Sequence, residues 1–159
     1  MHFRHNFTPG DIRHLTYLHG ILYDKEFGYD KTFEAYVARG LAEFVLNHDP
    51  EKEQIWLAEE KGEIIASIAI VKYLEDTAQL RWYLVHPDHR GKGIGKKLIG
   101  NAVEFCRLKK YKSCFLWTTS ELKAAAYLYT RAGFIKTEEK THAIWGSERT
   151  EERYDLVLR

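Results

Sequence analysis

Three glycines at alternate positions, Gly91, Gly93 and Gly95, fall within the hexapeptide Arg90-Gly91-Lys92-Gly93-Ile94-Gly95. Glycine lacks the Cβ that would hold a ligand off the main chain, so several N–H groups of such a loop can converge on one anion. The stretch follows an apolar run, Leu80 to Val85, and a turn, His86-Pro87-Asp88-His89. It opens into an amphipathic helix pattern from Lys96 to Lys110. A helix start adds unpaired N–H groups and the positive end of the helix dipole. Arg90, Lys92, Lys96 and Lys97 set cations around the same turn. This chemistry suits phosphate, and a pyrophosphate best. Two other glycine loops fail on spacing. A P-loop has four residues before its Gly-Lys-Ser/Thr, whereas three separate Gly91 from Gly95-Lys96-Lys97 and no hydroxyl follows. A dinucleotide fingerprint needs its third glycine later, and a βαβ unit near the chain's start.

The elements that must position this loop follow from periodicity and punctuation. A short strand is expected within residues 2–8. After the turn Thr8-Pro9-Gly10-Asp11, Leu15, Leu18 and Leu22 recur at helical spacing over Ile12 to Phe27. Gly28-Tyr29-Asp30 breaks that helix. Asp30 or Thr32 can cap a second one, with Phe33, Val37, Leu41, Phe44 and Val45 as its inward stripe. Strands are expected at Gln54 to Glu59, Glu63 to Leu74 and Thr77 to Val85, the first two joined by a Lys61-Gly62 hairpin. Beyond the loop and its helix come a strand at Ser113 to Thr118 and a helix at Leu122 to Arg131, stopped by Gly133. Strands at Phe134 to Ile144 and Arg153 to Leu158 complete the order. Antiparallel strands mixed with helices make a mixed α/β sheet with helices on both faces.

Composition narrows the function classes. At 159 residues the chain is expected to be one domain, 1–159, large enough for a real core. A net charge of +1 gives no global basic field, so nucleic acid is not an expected partner. No apolar run approaches a membrane span and the N-terminus lacks a signal peptide's apolar segment, so no membrane partner is expected. Cys106 and Cys114 lie among apolar neighbours. As buried free thiols they would suit a reducing compartment, and a cytoplasmic location is expected. None of the eight histidines forms a helix-spaced pair with an acidic partner, so no metal site is expected.

Val85-His86-Pro87 followed by Arg90-Gly91-Lys92-Gly93-Ile94-Gly95 resembles the acetyl-CoA-binding motif of the GCN5-related N-acetyltransferase (GNAT) family. The stretch Ala125-Ala126-Tyr127-Leu128-Tyr129-Thr130-Arg131-Ala132-Gly133-Phe134 resembles a second motif of that family, in the same order along the chain. The segments Leu116 to Ala125 and Tyr23 to Asp30 are similar to a bacterial subgroup whose acetyltransferase domain is often fused behind a winged-helix regulator. No such regulator is read in these residues. The resemblance implies a GNAT fold: a mixed, mostly antiparallel sheet of six to seven strands, bulged in its fourth strand and splayed into a V-shaped cleft. It also implies transfer of an acetyl group from acetyl-CoA, by direct attack, to a small-molecule or peptide amine. A monomer or a homodimer would both fit. An acyl-CoA-binding module that senses without catalysing is the alternative.

Carried onto this chain, the motif assigns the CoA pyrophosphate to Arg90, Gly91, Lys92, Gly93, Ile94, Gly95 and Lys96. The pantetheine arm would lie along Tyr83, Leu84 and Val85, where an amide of Leu84 or Val85 can stabilise the developing oxyanion. Tyr129 falls on the family's general-acid tyrosine and would protonate the departing thiolate; Tyr127 is read as structural. No base is evident, since Gln79 and Trp117 stand where family members often carry carboxylates, and Leu122 replaces a common asparagine. Glu26, Asp24, His142 or a water chain remain open for that role. His19, Tyr23, Glu26, Tyr29 and Gln79 are the candidate acceptor-binding residues, because polar groups with aromatic surface suit a cation. Trp82 and Trp145 either line the same pocket or pack the sheet, and His86 and His89 shape the turn.

Overall fold

The computed structural model describes residues 1–159. Its strands are β1 (His2–Arg4), β2 (Gln54–Glu60), β3 (Glu63–Leu74), β4 (Thr77–Val85), β5 (Ser113–Thr119), β6 (Ile135–Ile144) and β7 (Ser147–Val157). They form one seven-stranded sheet in the order β1-β2-β3-β4-β5-β7-β6. All neighbours are antiparallel except β4 and β5. The helices are α1 (Asp11–Phe27), α2 (Lys31–Leu46), α3 (Ile94–Leu108) and α4 (Lys123–Arg131). This is the α/β GNAT fold, a mixed and open sheet covered on both faces.

Each face has its own apolar cluster. Leu15, Leu18 and Leu22 of α1 and Phe33, Val37, Leu41 and Phe44 of α2 pack on Ile55, Leu57, Ala69, Trp82 and Leu84. On the other face, Leu98, Ile99, Ala102, Val103 and Cys106 of α3 and Tyr129 of α4 pack on Ala66, Ile68, Ile70, Leu80, Val85 and Leu116. Asp30 does cap α2, its carboxylate accepting from the Thr32 amide at 2.9 Å. Val45, expected on the inward stripe, is 39% exposed. It follows Phe44 by one residue, a ~100° turn that carries it off the buried face.

Other boundaries shift as well. β1 ends at Arg4, and α3 begins at Ile94 rather than Lys96, so the last glycine of the loop is already helical. The largest difference is β7, which starts at Ser147 rather than Arg153. Its polar first half has no apolar signature. Pairing on both sides, with β5 through Glu151 to Val157 and with β6 from Ser147 onward, makes it a strand.

The feature that shapes the molecule lies in β4. Ser67 pairs with Leu84 and Ala69 with Arg81, leaving Trp82 and Tyr83 opposite Ile68 alone, a β-bulge. Trp82 sits in the left-handed region at φ 50°, which costs a bulky residue ~1–2 kcal/mol. The extra residue inverts the strand's alternation. Ala78 and Leu80 face α3, whereas beyond the bulge Trp82 and Leu84 face α1 and α2. Pairing of β4 with β5 stops after Gln79 and Phe115, and past that point the two strands diverge. The expected splayed cleft is therefore present, and its apex is at Gln79.

The fully buried hydroxyl of Ser67 donates to the Trp82 carbonyl at 2.6 Å and holds the bulge against β3. Ser67→Ala strands that carbonyl without its partner and should cost ~1–3 kcal/mol of stability, read as a lower urea midpoint at unchanged slope. An unaltered midpoint would show that something else maintains the bulge.

Candidate active site

Two cavities open on the split between β4 and β5. The larger, about 490 Å³, lies at the glycine loop. Its walls include Tyr83, Leu84 and Val85 of β4, Arg90 to Lys96 without Lys92, and Lys123 to Ala125 with Leu128 at α4. The smaller, about 120 Å³, lies under α2 and reaches through the split to Tyr129. Tyr23, Tyr83 and Leu122 line both, so the two spaces meet at those three side chains.

At the loop, Gly91 and Gly93 take φ of 76° and 80°, and space around their missing Cβ atoms is open. Their role is conformational, bending the chain so that α3 points its first turn into the cleft. Lys97 makes the first intrahelical bond, to the Gly93 carbonyl at 3.1 Å, which leaves the amides of Ile94, Gly95 and Lys96 to a ligand. Gly95 serves differently. A Cβ there would fall on the Tyr83 hydroxyl, so this glycine makes room for Tyr83 rather than for an anion.

The four cations do not converge equally. Arg90 forms a two-pronged pair with Glu26 of α1, at 2.6 and 2.8 Å, and its Nε donates to the Val85 carbonyl at 3.2 Å. It ties the cleft mouth shut on one side. Glu26 accordingly stands in the loop-side cavity, engaged by Arg90, and of the other candidate acceptor residues only Tyr23 reaches it there. Lys92 is exposed outside the cleft, and Lys97 lies over the Phe3 ring at 4.7 Å. Lys96 lines the cleft.

The open edge of β4 is marked by its carbonyls: Tyr23 donates its hydroxyl to Tyr83 at 3.3 Å, and Arg90 reaches Val85. Strand alternation sets the amides of Tyr83 and Val85 on this same edge. Across it, the Tyr129 ring meets Tyr83 edge to face at 5.8 Å. Tyr129 is buried, and burial raises its pKa well above the ordinary tyrosine value. Tyr127, two residues earlier, is 57% exposed.

The smaller cavity collects His19, Tyr23, Tyr29 and Gln79, with Phe33, Tyr36, Arg81, Trp82, Trp117 and Trp145. Trp82 and Trp145 therefore both line it and pack around it. Trp145, in the turn between β6 and β7, meets Tyr29 at a tilt and Phe33 edge to face, with ring centres 5.0 and 4.8 Å away. That turn is fastened to the α1–α2 junction. Arg149 bonds to Glu121 at 2.6 Å and to the Phe27 carbonyl at 3.1 Å, and the Asp30 amide donates to the Trp145 carbonyl at 3.0 Å. Tyr29 bonds to Thr119, and burial pushes its hydroxyl up to about 12.

One carboxylate lines this cavity, and the residue patterns gave no notice of it. Glu151 of β7 pairs in register with Thr119 of β5 and bonds to His142 Nε2 at 2.6 Å. It sat in a stretch that reads as polar loop. Arg149, Glu151, Arg153 and Asp155 are all charged, so no apolar alternation marks that half of β7 as a strand. His142 was among the open bases; here it backs Glu151. Asp24 lines neither cavity.

A model of the Acetyltransferase (GNAT) family matches residues 16–134, and the chain belongs to that family. The uncharacterized N-acetyltransferase YjgM of Escherichia coli is 37% identical over 82 residues, 50% of this chain and 49% of its own length. The chain spans half or less of the length of the curated relatives it matches. A GNAT acetyltransferase of Staphylococcus aureus superimposes with a TM-score of 0.78 at 18% identity, covering 99% of this chain and 100% of that one. The structure of yncA from Salmonella typhimurium with its cofactor acetyl-CoA reaches 0.69 at 20% identity, covering 99% and 94%. At such identities these neighbours establish the fold.

His19 gives the site a measurable pH signature. Its Nδ1 donates to the Leu15 carbonyl at 2.9 Å, and burial pushes its pKa from 6.5 down to about 4. Between those pH values the unfolded chain takes up a proton that the folded one refuses. Stability is thus undiminished above pH 6.5 and falls on acidification toward pH 4, by about 3 kcal/mol from this residue. Denaturant titrations from pH 7 to 4 should show a shallower loss in His19→Gln than in wild type.

Proposed function

We propose that the chain is an acetyl-CoA-dependent N-acetyltransferase that acetylates an amine held in the smaller cavity. The observation that carries this is the meeting of the two cavities at Tyr23, Tyr83 and Leu122, with Tyr129 and Glu151 both lining the smaller one. The larger cavity fits coenzyme A: its volume lies in the range of ligand sites, and free helix amides, Lys96 and an unpaired strand edge converge there. Acetyl-CoA would supply an activated acetyl group as its thioester. No helix is long and apolar enough to cross a membrane, and two buried free thiols support a cytoplasmic setting. The similarity of Leu116–Ala125 and Tyr23–Asp30 to the winged-helix-linked subgroup supports placing the chain there.

In the proposed reaction the acceptor nitrogen attacks the thioester carbon, a C–N bond forms and the C–S bond breaks. Edge amides of β4, those of Tyr83 and Val85, stabilise charge developing on the carbonyl oxygen. Glu151 takes the proton that the amine must lose, and His142, whose side chain is 41% exposed, passes it to water. Tyr129, a protonated phenol at neutral pH, delivers a proton to the departing sulfur and is reprotonated from solvent. A sensing module that only binds acyl-CoA would need no carboxylate beside its acceptor cavity. Glu151 favours catalysis.

Tyr129→Phe should lower kcat ~10²-fold with coenzyme A affinity retained, and Glu151→Gln should lower kcat ~10²- to 10³-fold. Both are read as thiol release from acetyl-CoA with a panel of amines, alongside calorimetry with coenzyme A. Full turnover in Glu151→Gln would remove the proposed base. No heat on adding coenzyme A to folded protein would remove the function.

A further inference from the structure

We propose that the acceptor is an amine that also carries a carboxylate, a small amino-acid-like zwitterion, and that Arg81 binds the carboxylate. The proposal rests on the acetyltransferase reading for the meaning of the smaller cavity.

The bulge in β4 is the first ground. By interrupting alternation it turns Arg81 and Trp82, consecutive residues, toward the same face under α2. The guanidinium lies 4.5 Å from the Trp82 ring and 5.4 Å from that of Tyr36. None of its N–H donors bonds within the chain, so the planar fork is free for a two-oxygen acceptor. Four other arginines, Arg4, Arg90, Arg149 and Arg153, find carboxylates within the chain. Arg81 finds none. The fold also makes space for it: a Cβ at Gly40 of α2 would stand 2.9 Å from Arg81 Nη2 and from Trp82 Cζ2. A larger residue there would push the guanidinium out of place.

Charge and size narrow the ligand further. Arg81 is the only arginine or lysine lining the cavity, and Glu151 is its only carboxylate. They belong to β4 and β7, on opposite sides of β5. Arg81 is half-buried with its charge met only by aromatic rings, so an anion would add the pairing they do not supply. A zwitterion answers both ends, its carboxylate at Arg81 and its amine on the side of Glu151. The volume, about 120 Å³, is slightly below that of a cavity of ~150 Å³ able to enclose benzene. Amino acids of small to medium size fit such a space.

Matched pairs differing only in the carboxylate test this: alanine and ethylamine, valine and isobutylamine, methionine and 3-(methylthio)propylamine. Thiol release from acetyl-CoA is measured for wild type, Arg81→Gln and Arg81→Lys. Thermal shifts of the CoA-loaded proteins with each compound run in parallel and show that the variants are folded. In at least one pair the amino acid should exceed its decarboxylated partner by ~10²-fold in kcat/KM. That ratio should collapse toward one in Arg81→Gln and fall substantially in Arg81→Lys, which keeps the charge but loses the planar fork. Decarboxylated amines matching or exceeding the amino acids in every pair would overturn the proposal, as would a ratio unchanged in Arg81→Gln. If no compound yields thiol, the acetyltransferase reading is judged by coenzyme A calorimetry. The thermal shifts then decide: stabilisation by amino acids that vanishes in Arg81→Gln sustains the carboxylate site, and its absence from wild type refutes it.

Discussion

One unfavourable backbone conformation, the left-handed Trp82, organises everything around it. It costs ~1–2 kcal/mol locally, offset by burial of the indole among α2 side chains and by the hydrogen bond from Ser67. In return β4 stops tracking β5, and a sheet that would otherwise be continuous opens along its middle. The same residue inverts the pleat. Tyr83 thereby turns toward Gly95 and Tyr129 on the α3–α4 face, while Arg81 and Trp82 turn toward α2. A regular strand could not present these side chains to the two cavities at once, because alternate residues would have to share a face.

The glycine loop shows how one sequence motif divides into separate physical tasks. Gly91 and Gly93 are needed for positive φ, and Gly95 for the volume the Tyr83 hydroxyl occupies. Arg90 is held by Glu26 across the cleft mouth, so its charge is largely answered before any phosphate arrives. Anion binding then rests on main-chain amides at the start of α3 with Lys96 beside them. Such amides are fixed by the helix and pay little entropy on binding, unlike long exposed lysines.

The acceptor side is assembled from parts far apart in the chain. α1 and α2 supply aromatic rings, β4 a cation, β5 hydroxyls and an indole, and β7 a carboxylate backed by histidine. Arg149 and Trp145 dock the β6–β7 turn on the α1–α2 junction and so fix the distance between those walls. Tyr23 and Tyr83 stand where the two cavities join. Their rings form the threshold between the proposed donor and acceptor spaces.

Residues close together in the chain were sufficient to read much of this protein. The loop from Arg90 to Gly95, the capped helices, the apolar strands and Tyr129 in its helix are local patterns, and turn chemistry and periodicity are local forces. The partner of Glu26, the second role of Gly95 and the position of Glu151 were not legible in that way. Each depends on which strand lies beside which and in what register, and register is set by packing over the whole sheet. β7 makes the difference plain: its polar first half becomes a strand only because β5 and β6 offer backbone partners on both sides. The chain alone determined the kinds of chemistry available. Tertiary structure decided which groups meet, because hydrogen-bond pairing between distant strands carries no mark in the residues that undergo it.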